Sequence, residues 1–112
     1  MKVIYKAYKG CHASKFQFRV LKLVTMVPKG KVTTYKELAR AMGDPQAYRA
    51  VANALARNPF PVKIPCHRVV RSNGEIGGYR LGIRRKVKLL VQEGIKIENG
   101  KISSKFMFKY QK

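Results

Sequence analysis

The chain has 112 residues and a mass of 12.8 kDa, enough for one domain with one modest core and too little for two. Its 25 Lys and Arg face 5 Asp and Glu, a formal charge of +20, and so strong a field on so short a chain calls for a polyanion, nucleic acid first. The acids are scattered singly, which argues against the carboxylate cluster of a two-metal nuclease, and no apolar run approaches the ~18 residues of a membrane span or the core of a signal peptide.

Basic residues such as Lys15, Arg19, Lys22, Lys36, Arg40, Arg49, Arg57, Arg71 and Arg80 recur among apolar positions, the mark of a folded basic domain rather than a disordered arm. A cytoplasmic setting is expected, with Cys11 and Cys66 as free thiols rather than a disulfide. Residues 1–14 read as a short lead-in, and 15–112 as one domain ending in a hairpin-like tail. From Ser14, a good N-cap, Phe16, Val20, Leu21, Val24 and Val27 keep helical spacing until Pro28 and Gly30 stop the run.

Thr34–Glu37, "TYKE", fits a capping box ahead of Leu38, Ala39 and Met42, and Gly43, Asp44 and Pro45 end that helix. A second helix is expected from about Gln46 to Asn58. Two helices around a tight glycine-containing turn are the plan of a helix-turn-helix, though helical hairpins share it. Ala47, Ala50, Ala52, Ala54 and Ala56 make the second helix thin, with Tyr48, Arg49, Asn53 and Arg57 projecting. Two readings stand: approach to a shallow or narrow surface, or close helix packing.

Three prolines then precede four glycines over residues 59–82, a backbone of specified non-helical shape with a short Val69–Val70 strand and an Asn73-Gly74 turn. A last helix runs from about Ile83 to Glu93, closed by Gly94, and "IKIENGKIS" turns as a hairpin at Asn99-Gly100. The predicted class is α+β, mostly helical: a winged-helix-like domain with a helix-turn-helix and short strands.

"IPCHRVV", Ile64 to Val70, carries the chemistry. A buried cysteine is usually inert packing. Here His67, Arg68 and further positive charge adjoin Cys66, and such neighbours lower a thiol's pKa enough to supply thiolate near neutral pH. Adjacent residues need not face each other, so a water between Cys66 and His67 is one route for the proton. The imidazole needs an orienting acceptor. Glu93 is the candidate by elimination: a carboxylate in the last helical turn opposes the helix dipole, which suggests a partner, with a solvated surface Glu as the alternative. Cys11-His12 and Cys66-His67 lack metal-ligand spacing, so no metal site is expected.

"GKVTTYKELA" at Gly30–Ala39, "YRAVANALARNP" at Tyr48–Pro59, "IPCHRVV", "GGYRLG" at Gly77–Gly82 and "EG" at Glu93-Gly94 together resemble the O6-alkylguanine-DNA alkyltransferases, in the family's order and spacing, from about Lys15 to Gly94. The resemblance implies single-turnover repair without a cofactor, in which an alkyl group passes from O6 of guanine in double-stranded DNA to Cys66. It makes His67 the water-linked base, Glu93 its orienting acceptor, and Asn58 the brace of the active-site loop. Tyr35 would donate to the departing guanine and crowd the phosphate so that the nucleotide turns out.

It further implies that Arg49 fills the gap left in the base stack, while the alanine-rich helix, with Ala50 and Asn53, lies in the minor groove. Arg68 is a further expected DNA contact. The carbonyls of Cys66 and Val69 would read the guanine amino group, and Tyr79 with the Arg80 amide would line the alkyl pocket. The protein is expected to be a monomer with no membrane partner. Family members commonly carry a further N-terminal domain, in some with a structural zinc, where this sequence has about 14 residues. Ala52 stands where the family often has Gly. Two alternatives remain: a lesion-binding relative that transfers nothing, and a basic nucleoid-type protein.

Overall fold

The computed structural model describes residues 15–60 and 62–110. Within them lie four helices and two small sheets, the mixed, mostly helical class expected. Helix α1, Lys15–Val24, buries Val20, Leu21 and Val24 on one face, and the chain turns away through Met26 and Val27 before Pro28. Its expected N-cap, Ser14, lies outside the described residues.

Helix α2, Tyr35–Ala41, starts as the capping pattern predicts, with the Thr34 hydroxyl accepting the Glu37 amide at 3.0 Å. The reciprocal half of the box is replaced. Glu37 turns its carboxylate to Arg40 at 2.7 and 2.8 Å and to the Tyr110 amide at 2.8 Å, because the chain's end supplies a donor that the Thr34 amide would otherwise be. Gly43, at φ +88°, closes the helix, and the Asp44 carboxylate accepts the Gln46 amide at 3.1 Å.

Helix α3, Tyr48–Ala56, is shorter at both ends than the spacing suggested. Gln46 is spent on the Asp44 turn, and Asn58 leaves the helix to turn its side chain inward. Val51, Ala54 and Leu55 face α1 and α2, while Ala50, Asn53 and Ala56 are exposed. Close packing accounts for Ala54 and Ala47 but not for Ala50 and Ala56, which leave a thin, open face.

Strand β1, Thr33–Thr34, pairs in parallel with β2, Val69–Val70, in the register Thr33 to Val69. Val32, just before β1, exchanges backbone bonds with Phe106 and Phe108 of the tail at 2.9 and 2.7 Å. Helix α4, Ile83–Gln92, follows the glycine-rich segment, with Glu93 as its C-cap. Strands β3, Ile97–Glu98, and β4, Lys101–Ile102, form the expected hairpin, with both turn residues at positive φ. One core joins α1, α2 and α3 to Cys66, Val69 and Tyr110, and a smaller one gathers Val32, Val70, Leu90, Ile95 and Ile102. No helix among the described residues is long and apolar enough to cross a membrane.

Candidate active site

Between the two cores the chain makes a single 3-10 turn, Cys66–Arg68, entered from Pro65 and running straight into β2. A turn this tight splays neighbouring side chains. Cys66 reaches the floor of a cleft of about 680 Å³, while His67 points back toward the end of α4. The cleft is lined by Tyr35 from α2, Arg49, Ala52 and Ala56 from α3, Arg71 beyond β2, and Gly78, Tyr79 and Arg80 of the glycine-rich segment. Cys66 is 6% exposed. Only a group that enters the cleft can reach its sulfur.

Asn58 holds this floor in place. Fully buried, it donates from Nδ2 to the Ile64 carbonyl at 2.9 Å and to Cys66 Sγ at 3.2 Å, and its Oδ1 accepts the Phe60 amide at 2.9 Å. Its own carbonyl accepts from Arg80 Nη1, which ties the glycine-rich segment to the same loop. All three polar groups of the side chain are thereby used, as a buried amide requires.

His67 is 1% exposed, and its Nε2 lies 3.0 Å from Glu93 Oε2. A carboxylate only accepts, so Nε2 carries the proton and Nδ1 of the neutral ring is an acceptor. Nδ1 has no hydrogen-bond partner among the described residues, which leaves it open to take a proton. Burial pulls the His67 pKa down more than Glu93 raises it, so the ring is neutral near pH 7. The misplaced helix-end carboxylate thus has its partner, and a second one. Arg68 donates to Glu93 from Nε at 2.9 Å and from Nη2 at 2.7 Å, and from Nη1 to the Val27 carbonyl at 2.8 Å.

That geometry corrects two expectations. Arg68 was expected to face DNA, but its guanidinium is committed inward and its side chain is 16% exposed. The Cys66 thiol was expected to be acidic through its sequence neighbours. Burial instead pushes it up, against the Asn58 hydrogen bond and the positive charges of Lys86 and Arg80. The lowering charge comes from α4 and the glycine-rich segment.

The phenols of Tyr35 and Tyr79 flank the cleft, both pushed up by burial and by Cys66, so both are protonated donors near neutral pH. Gly77, at φ +76°, lets the backbone approach the Tyr35 ring, where an added Cβ would lie 3.2 Å from the hydroxyl. The Val69 carbonyl already accepts from Lys86 Nζ at 2.7 Å, so any base it reads must use its second lone pair. Arg49 stands exposed on the cleft's rim, and Ala50 and Asn53 lie on the same open face of α3. Cys11 lies outside the described residues. Among those described, no group of three His, Cys, Asp or Glu could hold a metal ion.

Sequence reasoning missed Lys86. It is 0% exposed and lies one turn before Leu90 on the buried stripe of α4, a signal present in the spacing but masked by the surrounding Arg84, Arg85 and Lys88.

A family model described as 6-O-methylguanine DNA methyltransferase, DNA binding domain, matches residues 15–95. The methylated-DNA–protein-cysteine methyltransferase of Methanothermobacter thermautotrophicus is 49% identical over 92 residues, covering 81% of this chain and 49% of the relative. Mycobacterium tuberculosis OGT in complex with DNA superposes with a TM-score of 0.72 at 41% identity, over 74% of this chain and 51% of that one. S. pombe Atl1, bound to damaged DNA containing O6-carboxymethylguanine, superposes with a TM-score of 0.78 at 30% identity, over 88% of this chain and 99% of that one. The chain spans about half the length of the curated relatives it matches at this level.

Proposed function

Because the chain belongs to the 6-O-methylguanine DNA methyltransferase family, we propose that it repairs alkylated duplex DNA by moving the alkyl group from guanine O6 onto Cys66. The observation that carries this reading is the pairing of a floor-of-cleft thiol, bonded by Asn58, with a neutral His67 whose free Nδ1 and Glu93-bound Nε2 equip it as a base.

In the step, the Cys66 proton passes to His67 Nδ1 through a water, since the adjacent side chains diverge. The thiolate attacks the alkyl carbon, a C–S bond forms, the C–O6 bond breaks, and its electrons move into the guanine ring. Tyr35, held protonated, supplies the proton or hydrogen bond that the departing ring needs. Guanine is left intact and Cys66 becomes a thioether, so each molecule acts once.

Cys66 sits too deep for a stacked base, so the nucleotide must turn out of the helix. The thin face of α3 suits a minor groove, and Arg49, exposed beside the cleft, would occupy the emptied stack. Binding would rest on phosphate contacts, which a charge of +20 favours on any sequence.

The test is to incubate the protein with a duplex containing O6-methylguanine and weigh it by mass spectrometry. One added methyl group, mapped to Cys66 and lost in Cys66→Ala while DNA binding persists, is the expected result. An unmodified protein that binds the lesion tightly would replace transfer with lesion recognition, the reading that the likeness to Atl1 over nearly its whole length favours.

A further inference from the structure

Among the described residues, Lys86 is the buried lysine or arginine, and the mechanism leaves it unused. Its ammonium group donates to the Val69 carbonyl at 2.7 Å and to the Gly78 carbonyl at 3.0 Å. None of the ion pairs among the described residues includes it: Glu37 holds Arg40, Glu93 holds His67 and Arg68, and Glu98 holds Lys96. A fully buried amine without a carboxylate is costly, and a chain with so many surface lysines gains nothing in solubility from hiding one more.

Its two acceptors locate its use. Val69 lies three residues beyond Cys66 on the same turn and strand, and Gly78 lines the cleft beside Cys66. The ammonium group thus sits behind the cleft wall and ties its two sides together. The charge is also felt at the sulfur: Lys86 and Cys66 each favour the other's ionised form.

We propose that Lys86 is a positioning residue for the transfer reaction, whose buried ammonium group pins Gly78 to Val69 and serves as the counter-ion of Cys66 once that thiol has lost its proton. The proposal rests on Cys66 being the alkyl acceptor. His67 takes the proton as a neutral base, and Lys86 balances the charge left on sulfur. The other charged or titratable groups that act on the pair are Arg71 and His67 near Lys86, and Arg80, Tyr35 and Tyr79 near Cys66. None of these is an anion, so among the described residues the thiolate is the counter-charge available to Lys86.

The experiment follows Cys66 without DNA. The rate of iodoacetamide addition at Cys66, resolved from Cys11 by peptide mass, is measured against pH in wild type, Lys86→Met, Lys86→Gln and Lys86→Arg. Loss of the charge should raise the midpoint of Cys66 reactivity by about one pH unit, a roughly tenfold slower reaction near neutral pH, and Lys86→Arg should restore the wild-type midpoint. A Met or Gln variant that melts lower but keeps the midpoint within about 0.2 unit overturns the counter-ion role and leaves Lys86 a structural tie.

Should both neutral variants fail to fold, the reciprocal measurement is made on wild type. Capping Cys66 as a neutral mixed disulfide should make Lys86 more reactive toward an amine reagent at a pH above the Cys66 midpoint, where the uncapped sulfur is thiolate, and unchanged reactivity there refutes the proposal. A wild-type protein that takes no methyl group from the O6-methylguanine duplex would sink the transfer reading instead, and the two failures are distinct because the thiol titration needs no lesion.

Discussion

Replacing Glu93 by Gln tests the link between fold and chemistry most directly. The carboxylate accepts three charge-assisted bonds, from His67 Nε2 at 3.0 Å and from Arg68 Nε and Nη2 at 2.9 and 2.7 Å, in a setting where its side chain is 12% exposed. Glutamine keeps the shape but offers one acceptor and one donor, so at least one of the three N–H groups must meet another donor, and Arg68 loses its counter-charge. At about 1.5–3 kcal/mol for each charge-assisted bond, offset by what the amide oxygen still accepts and by the Val27 carbonyl, the expected loss is about 3 kcal/mol. With a urea slope of about 1.5 kcal/mol per molar, the unfolding midpoint should fall by about 2 M.

Transfer should suffer independently of folding. Without a carboxylate the imidazole is free to carry its proton on Nδ1, which turns the ring's open nitrogen from acceptor to donor, and the single-turnover rate should drop about 10²-fold under native conditions. The pH sign follows from the carboxyl itself. Burial pushes it up, but the bonds from Arg68 and His67 outweigh burial and hold it below the usual range. A depressed carboxylate stabilises above its unfolded pKa and loses that contribution as pH falls through the folded one, so the stability gap between wild type and Glu93→Gln should close below about pH 4. A variant within about 1 kcal/mol of wild type at neutral pH, transferring at an unchanged rate, would refute this account of Glu93.

Tyr110 seals the tail onto α1 and α2: its ring packs edge-on against Phe108 at 5.1 Å and its hydroxyl donates to the Leu23 carbonyl at 2.6 Å. Tyr110→Ala should cost about 3–5 kcal/mol in urea unfolding, and Tyr110→Phe about 1, since Leu23 keeps its bond from the Met26 amide; an unaltered midpoint after deletion of residues 104–112 would show that the tail contributes nothing. Gly74→Ala would set a Cβ 2.7 Å from the Ile102 carbonyl at φ +90°, so it should lose at least about 2 kcal/mol, whereas Gly43→Ala, at φ +88° in open space, should lose about 1; equal losses would mean that the contact relaxes freely. Arg49→Ala should slow transfer from duplex more than from free O6-methylguanine, and equal slowing on both substrates would remove its role in the stack.

Much of the scaffold was legible because its signals are local. Thr34 caps α2, Gly43 and Asp44 form the turn, Asn99-Gly100 bends the hairpin, and apolar spacing marks the inner faces of α1 and α2. Glu93 stood out for a similar reason, since a carboxylate at a helix C-terminus conflicts with the local dipole. Arg68 was misread because nothing in the order Cys-His-Arg says that the third side chain turns back 25 residues' distance to Glu93. Glu37 was legible as a cap residue but not as the anchor of Tyr110, 73 positions away.

The sequence by itself determined where the chain turns and which faces of the first two helices are apolar, and it pointed to a cysteine, a histidine and a lone acid as candidates for one site. Only the tertiary structure decided the charge state of that cysteine. A thiol's acidity depends on how much water is excluded around it and which fixed charges remain in reach, and neither is a property of neighbouring letters. Packing buries Cys66 and raises its pKa, and it brings a buried ammonium group from Lys86, 20 positions on, to oppose that rise. Folding therefore adds to the adjacent His67 a set of distant groups that act on Cys66, because desolvation acts through the whole surrounding volume and the charges that survive it are those packing has carried inside.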